Sequence, residues 1–158
     1  MTKEKIQDFT LRISKANKTE MIAILYDMGI QYLSDALDAL NAGEKEAFRV
    51  NVNRAKSVNK ELMASVNVSK DLGLEFISLY VFCNKELTKA FLDYDSEIIE
   101  RIIKVYTNLS EAYNTVSKND TSGSVMGNSE KVYSGLTYNK SLLNNLVTDV
   151  SSSRGFLA

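Results

Sequence analysis

Four stretches of this chain repeat apolar residues at steps of three and four, and the corners between them leave room only for a reversal of direction. The stretches run from Lys18 to about Asn41, from Glu44 to about Val66, from Leu72 to Leu92 and from Ser96 to about Lys118. Steps of three and four are the signature of a helix with one buried face. Helices of about 22 residues joined by corners of about two to four residues pack as antiparallel neighbours. The predicted architecture is therefore all-α: an up-down-up-down four-helix bundle spanning 1–118. A short amphipathic segment with Ile6, Phe9 and Ile13 at helical spacing precedes it. No proline occurs anywhere to interrupt the helices.

Local signals mark the ends. Asn17 can cap the first long helix, with Glu20 reaching back to close a capping box. Gly43 suits the left-handed turn that ends it. Ser69 stands where an N-cap would open the third, and Asp95 or Ser96 can cap the fourth. The Leu72 to Leu92 helix is predicted to be central, because it is apolar on more than one face. Phe76, Tyr80, Cys83, Leu87 and Ala90 form an ordinary seam, while Leu74, Ile77 and Val81 fall on a nearly opposite line. The first long helix has a similar surplus: Met21, Ile24, Met28 and Tyr32 lie beside its seam of Ile22, Leu25, Tyr26, Gly29 and Leu33. Either neighbouring helices of the same chain cover these stripes, or another protein does. The Glu44 to Val66 helix is the most polar of the four, and its Asn59 reads as a satisfied edge residue.

Composition narrows the function. With 19 Lys and Arg against 20 Asp and Glu, the net charge is −1 and no basic surface for a phosphate backbone is expected. Nucleic acid is not an expected partner. The longest run without charge in the Leu72 to Leu92 helix is far short of the ~20 residues a membrane span needs, so no membrane insertion is expected. A single cysteine and an N-terminus without an apolar signal core fit the cytosol. Histidine is absent. That removes His-based acid/base catalysis, HExxH zinc sites and the Glu-x-x-His ligand sets of di-iron bundles. No carboxylate pair lies in an apolar seam where its pKa could be tuned, so no enzyme, cofactor or metal is expected.

After Lys118 the character changes. Residues 119–131 are rich in Ser, Gly and Asn and read as a flexible linker. The tail, 132–158, is apolar again, with Leu142, Leu143, Leu146, Val147 and Val150 at helical spacing. Such a tail either docks on its own bundle or recruits something else.

The run Asn17 to Ile30, NKTEMIAILYDMGI, followed by Leu79-Tyr80-Val81-Phe82, resembles the FliS family of flagellar secretion chaperones. In that family a capped helix opens with a Leu-Ile-x-Met-Leu-Tyr-Asp-like segment, and a Leu-Tyr-x-aromatic segment sits mid-bundle. The likeness covers about Phe9 to Val116. Lys18 stands where members often carry proline, and Tyr113 where they often carry tryptophan. The tail's Tyr-x-Gly-Leu-Thr-Tyr segment and Arg-Gly-Phe-x-Ala ending look like extensions seen in some members.

The resemblance implies a cytosolic chaperone that holds the disordered C-terminal region of flagellin, preventing early polymerisation and degradation before flagellar type III export. The flagellar export gate and other flagellar regulators are further partners it suggests. The candidate client-binding set joins the two surplus stripes to the motif residues between them: Met21, Ile22, Ile24, Leu25, Tyr26, Met28, Tyr32, Leu74, Ile77, Tyr80 and Val81. Two regulatory devices are candidates beside it. Ile6, Phe9 and Ile13 could plug the client groove, and Leu142 to Val150 could act as a tethered pseudo-client. The alternative reading is a self-associating helical-bundle adaptor in flagellar regulation that uses the same stripes and has no flagellin client; a homodimer is a candidate assembly in either reading.

Overall fold

Three of the five helices, the first, second and last, open on a side-chain cap. In the computed structural model of the chain, which describes residues 1–126, five helices form: α1 (Lys3–Lys15), α2 (Lys18–Asn41), α3 (Lys45–Ala64), α4 (Gly73–Asp93) and α5 (Ser96–Ser117). Thr2 caps α1 by accepting from the Lys5 N–H. At α2 both halves of the capping box are made: Asn17 accepts from the Glu20 N–H at 2.8 Å, and Glu20 accepts from the Asn17 N–H at 2.9 Å. Asp95, not Ser96, caps α5, accepting from the Ile98 N–H at 3.1 Å.

The start of α4 differs from expectation. Ser69 is not its cap; its N–H and hydroxyl both donate to the Asn67 side chain inside the connection from α3. The helix opens instead after Leu72, held at φ 64°, and Gly73 lies beneath the connection. A Cβ on Gly73 would stand 2.7 Å from the Asn67 carbonyl oxygen. Only glycine lets the backbone pass that closely.

Helices α2, α3, α4 and α5 each pack on the next, and α5 returns to α2, closing a ring of four. α1 lies against α2. The ring encloses one apolar core, to which α2 gives Tyr26 and Leu33, α3 Phe48, Val52 and Leu62, α4 Tyr80 and Leu87, and α5 Ile98, Ile99 and Tyr106. Among the described residues all regular structure is helical, and no helix is long and apolar enough to cross a membrane.

Two expectations are corrected here. The element the others gather round is α2, not α4. α2 is held between α3 and α5 and carries α1 as well, whereas α4 meets α3 and, more sparsely, α5. The outer line of α4 stays open as a result, with Leu74 67%, Val81 55% and Leu92 63% exposed. Asn59 is likewise no edge residue. It is 1% exposed, donates to the Tyr80 carbonyl at 2.8 Å and accepts from the Tyr106 hydroxyl at 2.8 Å. α3 is thus polar in composition yet sunk deep along one face.

The described part of the chain does not stop at α5. Residues 1–125 form one compact unit, and of the second unit, 126–158, only Met126 is described. In the first half of the segment read as a linker, Asp120 accepts from the Thr19 hydroxyl at 2.5 Å. The Val125 N–H donates to the Ala16 carbonyl at 2.9 Å. The chain therefore crosses the α1–α2 corner after leaving α5. The Ser122 hydroxyl, then the Thr19 hydroxyl, bring the Asp120 carboxyl down to about 2, because donated hydrogen bonds favour its charged form. Leu142, Leu143, Leu146, Val147 and Val150 lie outside the described residues.

Candidate client-binding surface

The residues singled out from the sequence fall into three settings. Tyr26 and Tyr80 belong to the core, 0% and 1% exposed, joined hydroxyl to hydroxyl. Tyr26 also stands 5.5 Å from the Tyr106 ring and 5.8 Å from the Tyr113 ring, centroid to centroid. Burial is the first cause that raises the phenol pKa of Tyr26, Tyr80 and Tyr106, with Tyr80 pushed up to about 12. Tyr26 and Tyr106 lie beneath the surface, and Tyr80 reaches it only as an edge of one hollow.

The second setting is the surplus stripe of α2. Ile24 is 5% exposed because α1 lies on it; Phe9 and Ala16 complete a small apolar cluster, with Met21, Met28 and Ile13 packed at its margin. Of the three residues predicted to plug a groove, Phe9 is 9% exposed and Ile6 48%. Phe9 carries the contact, and Ile6 faces outward. Polar ties hold α1 in register. Arg12 donates to Asp27 at 2.6 Å, and Lys5 donates to Gln31 at 2.7 Å. Asp27 uses its other oxygen to accept from the Ser110 hydroxyl of α5 at 2.6 Å. A single carboxylate thus couples α1, α2 and α5. Tyr32 lies further along, half-buried, with the Arg54 guanidinium 5.7 Å above its ring.

The third setting is open. Ile22, buried in the core at 8% exposed, and half-buried Leu25 show one edge, with Met21, Ala64, Ser65 and Val125, to a groove of about 590 Å³. Ile22 also borders a smaller hollow of about 240 Å³, where Phe76, Tyr80 and Tyr113 form an aromatic wall and Lys18 and Lys70 stand among the polar residues. On α4, Leu74 and Val81 are bare and Ile77 is half-buried. A further hollow of about 330 Å³ lies between α4 and α5, bordered by Phe82, Ile98, Ile102, Val105, Glu86 and Arg101.

Several participants went unread in the sequence. Asp27 had a signal, being an acid beside the buried seam of α2, where a charge needs a partner. Arg12 looked like any surface arginine. Val125 and Asp120 had none, because their partners lie about a hundred positions away. Among the described residues no group of three or more His, Cys, Asp or Glu is placed to hold a metal ion.

The bundle thus has hollows with apolar lining on more than one side and carries a short amphipathic helix against α2. The family comparison is specific. Residues 2–120 match the model of the flagellar protein FliS family. The chain belongs to the FliS family, and with it to the flagellar chaperones. No curated protein matches the chain.

Proposed function

We propose that the protein holds the disordered C-terminal segment of flagellin in the cytosol until the flagellar export machinery takes it. The client folds into amphipathic helical pieces along the apolar lines of α2 and α4. It contacts Ile22, Leu25, Leu74, Ile77 and Val81 directly, and Met21, Ile24 and Met28 once α1 gives way. Tyr26 and Tyr80 hold those lines in place from beneath. The observation that carries the reading is α1 itself. A helix of the chain's own is seated on the α2 stripe through one well-buried aromatic and a few polar ties, so the stripe accepts a helix and the present occupant is lightly held. Affinity comes from buried apolar area less the cost of ordering the client.

The test is titration calorimetry of the full chain with the last ~50 residues of flagellin from the same cell. One-to-one, sub-micromolar binding with a large negative heat-capacity change is the expected result. Absence of heat and of any complex overturns the proposal. The plug adds a second measurement: Arg12→Ala should tighten client binding severalfold by loosening α1, and unchanged or weaker binding would remove α1 from the role.

A further inference from the structure

The corner between α1 and α2 is two residues long, Ala16 and Asn17, yet these are 3% and 6% exposed. A corner that short at the end of a bundle ordinarily lies open to water. Here the chain that leaves α5 comes back to it. The Asp120 backbone carbonyl accepts from the Asn17 side-chain amide at 3.3 Å, and its carboxylate accepts from the Thr19 hydroxyl at 2.5 Å. The other carboxylate oxygen accepts from the Ser122 N–H and hydroxyl, at 3.0 and 2.6 Å, which fixes the side chain within its own turn. Further on, the Ser124 hydroxyl donates to the Ser14 carbonyl at 3.1 Å and the Val125 N–H to the Ala16 carbonyl at 2.9 Å. Those two carbonyls lie at the C-terminal end of α1, where the groups of the last turn have no partners within the helix. Residues 120–125 therefore grip both sides of the corner, the start of α2 through Asp120 and the end of α1 through Ser124 and Val125.

We propose that residues 119–125 are a latch: α1 turns away from α2 about Ala16 and Asn17, and does so only when this segment lets go. A helix that leaves its seat while still attached must change φ and ψ at the connection. Such a rotation carries the Ser14 and Ala16 carbonyls off Ser124 and Val125. It also disturbs Asn17, whose side chain has two duties, capping α2 through the Glu20 N–H and holding Asp120. The ties along the body of α1, Lys5 with Gln31 and Arg12 with Asp27, run to α2 alone. The latch adds the extension of α5, so the freedom of α1 is set by a segment about a hundred positions away in the chain. Val125 also borders the groove edged by Met21 and Leu25, and an open latch clears that border. The inference concerns the free chain and does not need the client reading; where both hold, opening the latch uncovers the α2 stripe.

Amide hydrogen exchange of the full chain, read by mass spectrometry without any client, tests it. Asp120→Ala removes the carboxylate that Thr19 holds, and Val125→Pro removes the N–H given to Ala16. Each should speed exchange at residues 9–14 of α1 about fivefold, the loss expected for one hydrogen bond, and the two together should speed it more than either alone. The buried stretches of α3 and α5 should keep their wild-type rates. Asp120 makes no hydrogen bond to α1 among the described residues, so an effect of Asp120→Ala there is transmitted through the corner and is not a local loss. Thr19→Val, which removes one hydroxyl, gives the same reading if either variant unfolds in far-ultraviolet circular dichroism. Wild-type exchange in α1 of the folded variants overturns the proposal. So does acceleration of equal size in α3 and α5, because the segment then stabilises the whole bundle and does not latch α1.

Discussion

Gly29 and Asn59 show how single residues set the interior. At Gly29 a Cβ would stand 2.8 Å from Cε2 of Tyr106, a fully buried ring. Gly29→Ala gains about 1 kcal/mol of helix propensity and forces a shift in packing that typically costs 1–3 kcal/mol, roughly. We expect a net loss of about 1 kcal/mol in chemical denaturation, opposite in sign to the usual effect of the same change in an exposed helix. Asn59→Ala should cost more, about 2–4 kcal/mol, because it strands the Tyr106 hydroxyl and leaves a cavity. Adding Tyr106→Phe should cost less than the sum of the two single losses, since the stranded group is then gone. The sequence made Gly29 legible as part of the α2 seam. It did not reveal that an aromatic ring of α5 passes over it, because nothing local to α2 encodes that approach.

At the scale of elements, α1 makes the smallest contact with the rest of the bundle. Its contact rests on Phe9, on the Met1 ammonium paired with Asp35, on Lys5 donating to Gln31, and on the Arg12–Asp27 pair, whose side chains are 38% and 28% exposed. A pair so wetted contributes on the order of 0.5–1 kcal/mol. Arg12→Ala should therefore speed amide exchange severalfold through α1 while leaving the protected cores of α3 and α5 unchanged. Uniform acceleration throughout the bundle would mean that α1 is integral to it. The capping box at Asn17 and Glu20 was legible because both partners lie within one turn. The two surplus stripes were legible as surplus, but their fates were not. One lies partly under α1 and the other is open, and the distinction depends on which helices flank α2 and α4 in the ring.

For the whole molecule, the cluster of buried tyrosines sets an alkaline limit. Tyr26, Tyr80 and Tyr106 have phenol pKa values raised above 10.0 in the folded chain, Tyr80 to about 12. A raised folded-state value means the unfolded chain loses its protons first. The associated stability is fully present below pH 10 and is lost as pH rises through the folded-state values. Thermal melts between about pH 9 and about pH 12 should fall steeply, and Tyr80→Phe should flatten part of that fall. A flat profile would mean that the tyrosines ionise in place. What the sequence determined by itself was whatever periodicity and neighbouring residues encode: five helical segments, most of their ends, the apolar seams and the family likeness. Only the tertiary structure decided that α2 and not α4 is the central element, that Asn59 is buried, and that residues 119–125 return to the α1–α2 corner. Each of these depends on pairs of residues far apart in the chain, whose meeting is set by how the helices share a common core.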